Sequence, residues 1–267
     1  MQIGVTIRNM GPQSSRELLT QCALDAQAGG LESIWITDHI AIPPDDAEGS
    51  EGRYLDPLIT LAYIAGAVSD IKLGVGVLIL PYRAALPTAK QIATLQELSA
   101  NRLLLGVGIG WMDAEFRALG VDRHRRGAIS DETLGFLRTC FENDVVEAND
   151  QPFLFRPRPE KPPVYVGGGP PHALRRAARL ADGWMPMGLA PDALAGHMTT
   201  YREFCEAEGR KPGLVTLMRG LPLTDEPQCR TLIGEYADLG VERLVCGVRY
   251  DTSEQFREQL AVLSGLL

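Results

Sequence analysis

The chain has cysteines but no cysteine pattern. Its five, Cys22, Cys140, Cys205, Cys229 and Cys246, are scattered, odd in number and form no C-x-x-C pair. That argues against a disulfide framework or a thiolate metal site, and suits reduced, mostly buried thiols in a cytoplasmic protein. Basic charge is also scarce. Lysine and arginine number 26 against 34 acidic residues, a formal net charge of −8 over 267 residues. An acidic surface speaks against nucleic acid and anionic membranes as partners. No apolar run approaches a membrane span, and the start, MQIGVTIRN, lacks the basic opening and long apolar stretch of a signal peptide. No metal-ligand cluster appears among the strand ends, since beside His39 the other histidines, His124, His172 and His197, fall on expected helices or helix starts. No G-x-S-x-G marks a serine nucleophile. A dinucleotide fingerprint is missing too, because the frames from Gly106 and Gly108 end at Trp111 and Asp113 rather than at a third glycine.

What is present is a repeating alternation of short apolar runs and helical stretches. Residues 2–8, 33–37, 71–80, 103–109, 164–166, 183–187, 214–218 and 243–248 read as strands. Helical patterns follow each of them. Ser14 with Glu17, and Thr252 with Gln255, have the spacing of capping boxes. Asp56-Pro57 has the form of a helix start. Residues 40–55, after the second strand, form a polar loop long enough to be a functional lid. After the fourth strand, residues 112–141 read as two helical pieces and residues 142–162 as irregular, proline-rich chain. Strict strand–helix alternation implies a parallel sheet. Eight units in this length favour a closed (β/α)8 barrel with insertions after strands 2 and 4, one domain over residues 1–267. An open doubly wound sheet is the alternative.

In either architecture the chemistry belongs where the strands end. Those ends supply Asp38-His39, then Gly76-Val77-Leu78, then Gly108, Gly110 and Trp111. Ile7-Arg8 at the first strand, Gly167-Gly168-Gly169 at the fifth, and Trp184 and Met187 at the sixth complete the set. It is rich in glycine and in flat or apolar side chains, and poor in paired carboxylates. Such a mouth suits a planar organic cofactor that carries the reaction itself. Gly167 to Gly169 before a helix start offers free N–H groups and a positive dipole end, the ingredients of a phosphate cradle. A plain tight turn would look the same. The glycines around Val107 either admit a ligand or relieve crowding near Trp111. His39 offers a hydrogen bond to a cofactor ring, or else caps a turn. Arg123-His124-Arg125-Arg126 is a basic cluster in an acidic chain, suited to a solvated helix face or to an anionic ligand. Arg126 with Asp131 and Glu132 has the spacing of a structural ion pair.

Several stretches resemble one family: WITDHIAIP (35–43), YLDPLITLAYIA (54–65), LGVGVLILPYR (73–83), AKQIATLQELSANRLLLGVGIGWMDAEFRALG (89–120) and VYVGGGPPHALRRAARLADGWMP (164–186). Together they are similar to the bacterial luciferase-like superfamily, and within it to oxidoreductases that use coenzyme F420. The resemblance implies a (β/α)8 barrel, hydride transfer by a deazaflavin or flavin, and often a homodimer. It implies that Asp38 and His39 lie beside the cofactor ring, that His39 is the catalytic candidate, and that a bulge with a cis Gly76–Val77 bond stands behind the ring. By the same resemblance Gly167, Gly168 and Gly169 hold its phosphate, while Val77, Leu78, Gly108, Gly110 and Trp111 are expected to line the cofactor site from their places at the strand ends. Sugar-phosphate dehydrogenases of the family place a glutamate where this chain has Trp111, and a tryptophan where it has Pro43, which argues against a sugar-phosphate substrate. The leading expectation is an F420-dependent oxidoreductase acting on a small-molecule substrate. An FMN-dependent monooxygenase is the second, and a non-catalytic flavin-binding barrel the third.

Overall fold

The computed structural model covers residues 1–267. Ten strands follow one another along the chain. They are β1 (Gln2–Thr6), β2 (Ser33–Ile36), β3 (Lys72–Ile79), β4 (Leu103–Gly108), β5 (Val145–Ala148), β6 (Gln151–Leu154), β7 (Val164–Gly167), β8 (Gly183–Met185), β9 (Leu214–Met218) and β10 (Arg243–Cys246). All but β5 and β6 belong to one parallel sheet that closes on itself: β4 pairs with β7, and β10 pairs back to β1. The open-sheet alternative is therefore excluded, and the chain is a (β/α)8 barrel. Helices α1 (Arg16–Ala28), α2 (Pro57–Ala65), α3 (Ala85–Leu98), α4 (Asp113–Leu119), α5 (Arg126–Glu142), α6 (His172–Leu180), α7 (Pro191–Ala207), α8 (Glu226–Leu239) and α9 (Ser253–Gly265) surround it. None is long and apolar enough to cross a membrane.

The barrel strands read as nearly continuous apolar runs because both faces are buried. Outward-facing residues such as Ile34, Leu73, Leu105 and Val166 join a large cluster between barrel and helices. Inward-facing residues form a smaller plug of Trp35, Leu104, Tyr165, Met185, Met218 and Val245. Gly74 makes that plug possible, since a Cβ there would lie 2.2 Å from the Trp35 indole. At the floor, Arg243 bonds Glu32 at 2.7 and 2.8 Å and also reaches the Tyr165 hydroxyl and Thr216. The buried guanidinium is thus paired, which its desolvation requires.

Several local expectations change. The cap of α1 is Ser15, whose hydroxyl accepts from the Leu18 N–H at 3.2 Å. Ser14 instead donates to the Gly11 carbonyl and accepts from Arg53 Nε, so the cap lies one residue later and, with Leu18 in the reciprocal position, no capping box forms. Thr252 does cap α9, but Gln255 answers to the Asp251 N–H rather than to its own cap residue. Asp56 and Pro57 open α2 as predicted. The stretch expected to be irregular contains the antiparallel hairpin of β5 and β6. Its two turn residues, Asn149 and Asp150, have φ of 50° and 59°, a conformation these residue types tolerate best after glycine. Arg126 makes no ion pair with Asp131. That carboxylate is held by Arg176 and Arg179, while Glu132 faces Arg125 at 3.6 Å.

The irregularity that shapes the mouth is in β3. Its register against β4 shifts between Val75 and Leu78, and the Gly76–Val77 bond is cis. The bulge turns Val77 inward above the plug while Leu78 stays in the outer core. Space for Val77 comes from its neighbours. A Cβ on Gly108 would lie 2.5 Å from one Val77 methyl, and a Cβ on Gly167 would lie 2.7 Å from the other. Gly108→Ala should therefore destabilise the fold by about 1–3 kcal/mol, and adding Val77→Ala should restore much of the loss. Denaturant unfolding of both single variants and the double variant checks this; strictly additive losses would show that the two positions do not meet.

Candidate active site

The strand ends are tied together before any ligand is considered. Asn9, fully buried just past β1, donates to the carbonyls of Thr37 and Leu55 and accepts from the Thr37 N–H. This fixes the start of the loop that follows β2. Asp38 comes next, and its carboxylate is turned into the protein. Both oxygens take a guanidinium nitrogen of Arg83, at 2.6 and 2.8 Å, and one also accepts from the Ile79 N–H. Burial holds this carboxyl above its ordinary value, and Arg83 and Ile79 offset only part of that rise. Arg83 reaches Asp56 as well, so one cation joins the ends of β2 and β3 to the start of α2.

His39 points the other way, as alternation along an extended chain requires. Its Nδ1 lies 2.8 Å from Glu115 Oε2. Glu115 is fully buried at the start of α4, and its other oxygen accepts from the Ile40 and Ala41 N–H groups at 2.6 and 2.9 Å. The Tyr82 hydroxyl donates to it at 2.8 Å. Burial alone would raise the Glu115 carboxyl, but the two amides, His39 and Tyr82 outweigh it and hold it below the ordinary glutamate range. A charged acceptor on Nδ1 makes that nitrogen the N–H donor, as assigned from the network. Nε2 has no protein partner and is free to exchange a proton or a hydrogen bond with a ligand.

Around His39 the mouth is lined by flat and apolar groups. Tyr54 lies with its ring centroid 4.9 Å away, and Trp111, which is 64% exposed, stands edge-on at 6.2 Å. Burial, and then the nearby charge of Glu115, push the Tyr54 phenol up from its ordinary value. Val77 forms the apolar floor beside β4 and β7. At the end of β7, Gly168 has φ of +113° and its carbonyl accepts from Trp184 Nε1 at 2.9 Å. The space beside Gly169 is open, with no atom within 4 Å of where a Cβ would stand. The carbonyl of Gly169 accepts the Ala173 N–H in the first turn of α6. An open glycine turn at a helix start is a fitting seat for a phosphate. Next to the strand that carries His39, a cavity of about 850 Å³ opens over β1 and β10, walled by Arg8, Asn9, Thr37, Gly49 and Tyr250. That is room for a small organic molecule.

The residues expected at the site therefore divide. His39, Val77, Trp111, Gly168 and Gly169 face or border the mouth. Leu78 is fully buried in the outer core, and the Asp38 carboxylate is committed to Arg83. The space beside Gly110 is filled by Ile79 and Phe116, and that beside Gly76 by Met218 and Met185. Glu115, Tyr82, Arg83 and Tyr54 were not singled out by sequence. Glu115 reads as an ordinary acid favouring a helix start. Nothing local marks it as buried, although it sits only four residues beyond Trp111.

The family model described as luciferase-like monooxygenase matches residues 1–224. An uncharacterised protein of Mycobacterium tuberculosis is 32% identical over 203 residues, covering 69% of this chain and 70% of that protein. The F420-dependent glucose-6-phosphate dehydrogenase of Kineococcus radiotolerans is 31% identical over 215 residues, 74% of this chain but only 60% of that enzyme. Among solved structures, an F420-dependent secondary alcohol dehydrogenase in complex with an F420-acetone adduct aligns over 100% of this chain and 98% of its own, with a TM-score of 0.82 and 14% identity, a likeness of fold alone.

The Glu115 clamp yields a pH-dependent expectation. Its folded value lies below the unfolded one, so its contribution to stability is complete above the ordinary glutamate range and is lost as pH falls through the folded value. Glu115→Gln should cost about 1.5–3 kcal/mol near neutral pH, and clearly less at about pH 3. Urea unfolding at both values measures the difference; an equal loss at both would mean that the charge is not what holds the loop.

Proposed function

This chain belongs to the luciferase-like monooxygenase family, and from that premise we propose that it is an oxidoreductase that passes a hydride between coenzyme F420 and a small organic substrate. The observation that carries the proposal is the His39–Glu115 pair facing the apolar Val77 floor, with the open Gly168-Gly169 turn at the far side of the mouth. That spacing of parts suits a planar ring with a phosphate-bearing side chain. The preference for F420 rests on the 31% identity to an F420-dependent dehydrogenase.

Bound there, the deazaflavin supplies the hydride carrier. The chain's own residues do the rest. Val77 and the inward methionines give the ring an apolar backstop. The amides at the start of α6 hold the phosphate. His39 presents Nε2 to the mouth and exchanges the proton that accompanies reduction or oxidation of the substrate. Glu115 fixes the ring's tautomer and direction, and it also fixes Ile40 and Ala41, so the loop over the mouth starts from a set position. Trp111 and Tyr54 narrow access and limit water. A sugar phosphate is disfavoured, because the family's glutamate acid is replaced by Trp111.

An FMN-dependent monooxygenase is the second reading, favoured by the family's own description. Oxygen separates the two, because a deazaflavin lacks the N5 nitrogen of a flavin and forms no stable oxygen adduct.

Fluorescence titration of the purified protein with F420 and with FMN is the direct test. Tight binding of F420 and weak binding of FMN is the expected outcome; the reverse, with oxygen uptake, would replace the proposal by the monooxygenase. Gly168→Val should weaken cofactor binding by about tenfold or more, equivalent to about 1.4 kcal/mol, since a branched side chain is strained at this φ and crowds the turn. His39→Ala should lower turnover by about 10²–10⁴-fold, far more than it lowers stability, where losing one donor to the buried Glu115 carboxylate should cost about 1–3 kcal/mol. A large stability loss with normal turnover would reduce His39 to a loop-capping role.

A further inference from the structure

The basic cluster after α4 is not used by any of this. It breaks a local rule, because positive charge at a helix N-terminus opposes the helix dipole. Arg123, His124 and Arg125 form a short 3-10 turn that leads directly into α5, which begins at Arg126. The α5 start has no side-chain cap and no acid in its first turn. The α6 start also lacks both. The two starts are neighbours: α6 follows β7, and α5, reached from β4 through α4 and the 3-10 turn, packs against α6 and against residues 80–82 at the end of β3. Arg176 of α6 donates to the Gly127 carbonyl in the first turn of α5 at 3.2 Å. A helix that follows a barrel strand begins at the face where the strands end, which puts the α6 start at the mouth, and the contacts of α5 with residues 80–82 and with Arg176 bring its start to the same face.

The nearby acids do not neutralise the cluster. Asp131 is occupied by Arg176 and Arg179, and Glu132 faces Arg125 across an exposed 3.6 Å gap. Arg123 and Arg126 have no carboxylate within ion-pair distance. Arg126 donates one terminal nitrogen to the Arg123 carbonyl. The Nε atoms of both are buried without a hydrogen-bond partner. Buried guanidinium N–H groups left unmatched cost stability, and here two lie together in a chain whose net charge is −8.

We infer that Arg123 and Arg126 are a landing site for carboxylates that extend beyond the cofactor phosphate, the oligoglutamyl tail that F420 carries and FMN lacks. The inference rests on the F420 reading above and goes beyond it by assigning residues to the tail. Arginine suits the task, since its planar fork takes carboxylates bidentately. The site makes F420 the better-matched of the two cofactors on electrostatic grounds.

Three ligands test it: the bare deazaflavin chromophore, the coenzyme with its lactyl phosphate but no glutamate, and the coenzyme with several glutamates. Fluorescence titration of the wild-type protein at low salt should show the glutamylated form bound about tenfold or more tighter than the tail-less form. Raising the ionic strength should erase most of that margin, and this readout needs no variant. In R123Q/R126Q, shown to be folded by circular dichroism, the margin should vanish while affinity for the tail-less form holds. R123K/R126K should keep part of it, since the charge remains. Equal weakening of the tail-less and glutamylated forms would overturn the inference by assigning the arginines to the phosphate. No margin in the wild type would overturn it while leaving the F420 proposal intact. Failure of all three ligands to bind would overturn both.

Discussion

The structure of the mouth depends on one buried carboxylate. Glu115 accepts four hydrogen bonds, and their donors serve three different tasks. His39 supplies the free imidazole nitrogen. Ile40 and Ala41 are the first residues of the long loop. Tyr82 packs edge-on against Phe116, 5.1 Å between centroids, and so ties α4 to the end of β3. A buried charge is tolerable only when its lone pairs are matched. The arrangement is therefore all-or-none: loop, helix and histidine take these positions together, because leaving any one donor away exposes the charge to an unmatched apolar surrounding. Asp38 with Arg83 does similar work one residue earlier, on the opposite side of the chain. Two adjacent residues thus anchor the same loop from both faces, and only His39 is left with an unoccupied polar atom toward the mouth.

The glycines form a second constraint, and they serve two purposes. Gly108 and Gly167 provide the clearance that lets the β3 bulge present Val77 to the barrel interior. Gly106 accommodates the Val75 carbonyl and the Met185 sulfur, and Gly110 accommodates Phe116. For these positions the crowding explanation holds, although the group being accommodated is chiefly Val77 and not Trp111. Gly169 differs, since its surroundings are open, and Gly168 has a backbone conformation that side chains resist. The result is an apolar platform bordered by an open glycine turn, built from neighbouring strands of one barrel.

Much of the architecture was legible because burial writes itself into sequence. Parallel strands covered on both faces must be apolar throughout, and the helices between them must carry one apolar stripe, so eight units could be counted without knowing how they close. The hairpin at 145–154 escaped because it packs on one side only, with Val145 and Leu154 exposed and Pro152 inside a strand. Its Asn149-Asp150 turn was the available signal. The shift of the α1 cap from Ser14 to Ser15 has a tertiary cause, since Arg53, far along the chain, engages Ser14. Arg126 lost its expected partner for a similar reason: Asp131 is reached better by Arg176 and Arg179 from the neighbouring helix.

By itself the sequence determined the strand–helix order, the glycine-rich strand ends and the placement of Asp38-His39 at one of them, because these follow from local periodicity and from residues with special backbone freedom. Tertiary structure decided which polar groups are matched and which are left over. Whether Glu115 is a surface acid or a buried clamp, whether Asp38 faces a ligand or Arg83, and whether Arg123 and Arg126 find a counter-charge all depend on groups brought from tens of residues away. Hydrogen bonding and desolvation are set by these distant neighbours, and no local pattern in the chain encodes them.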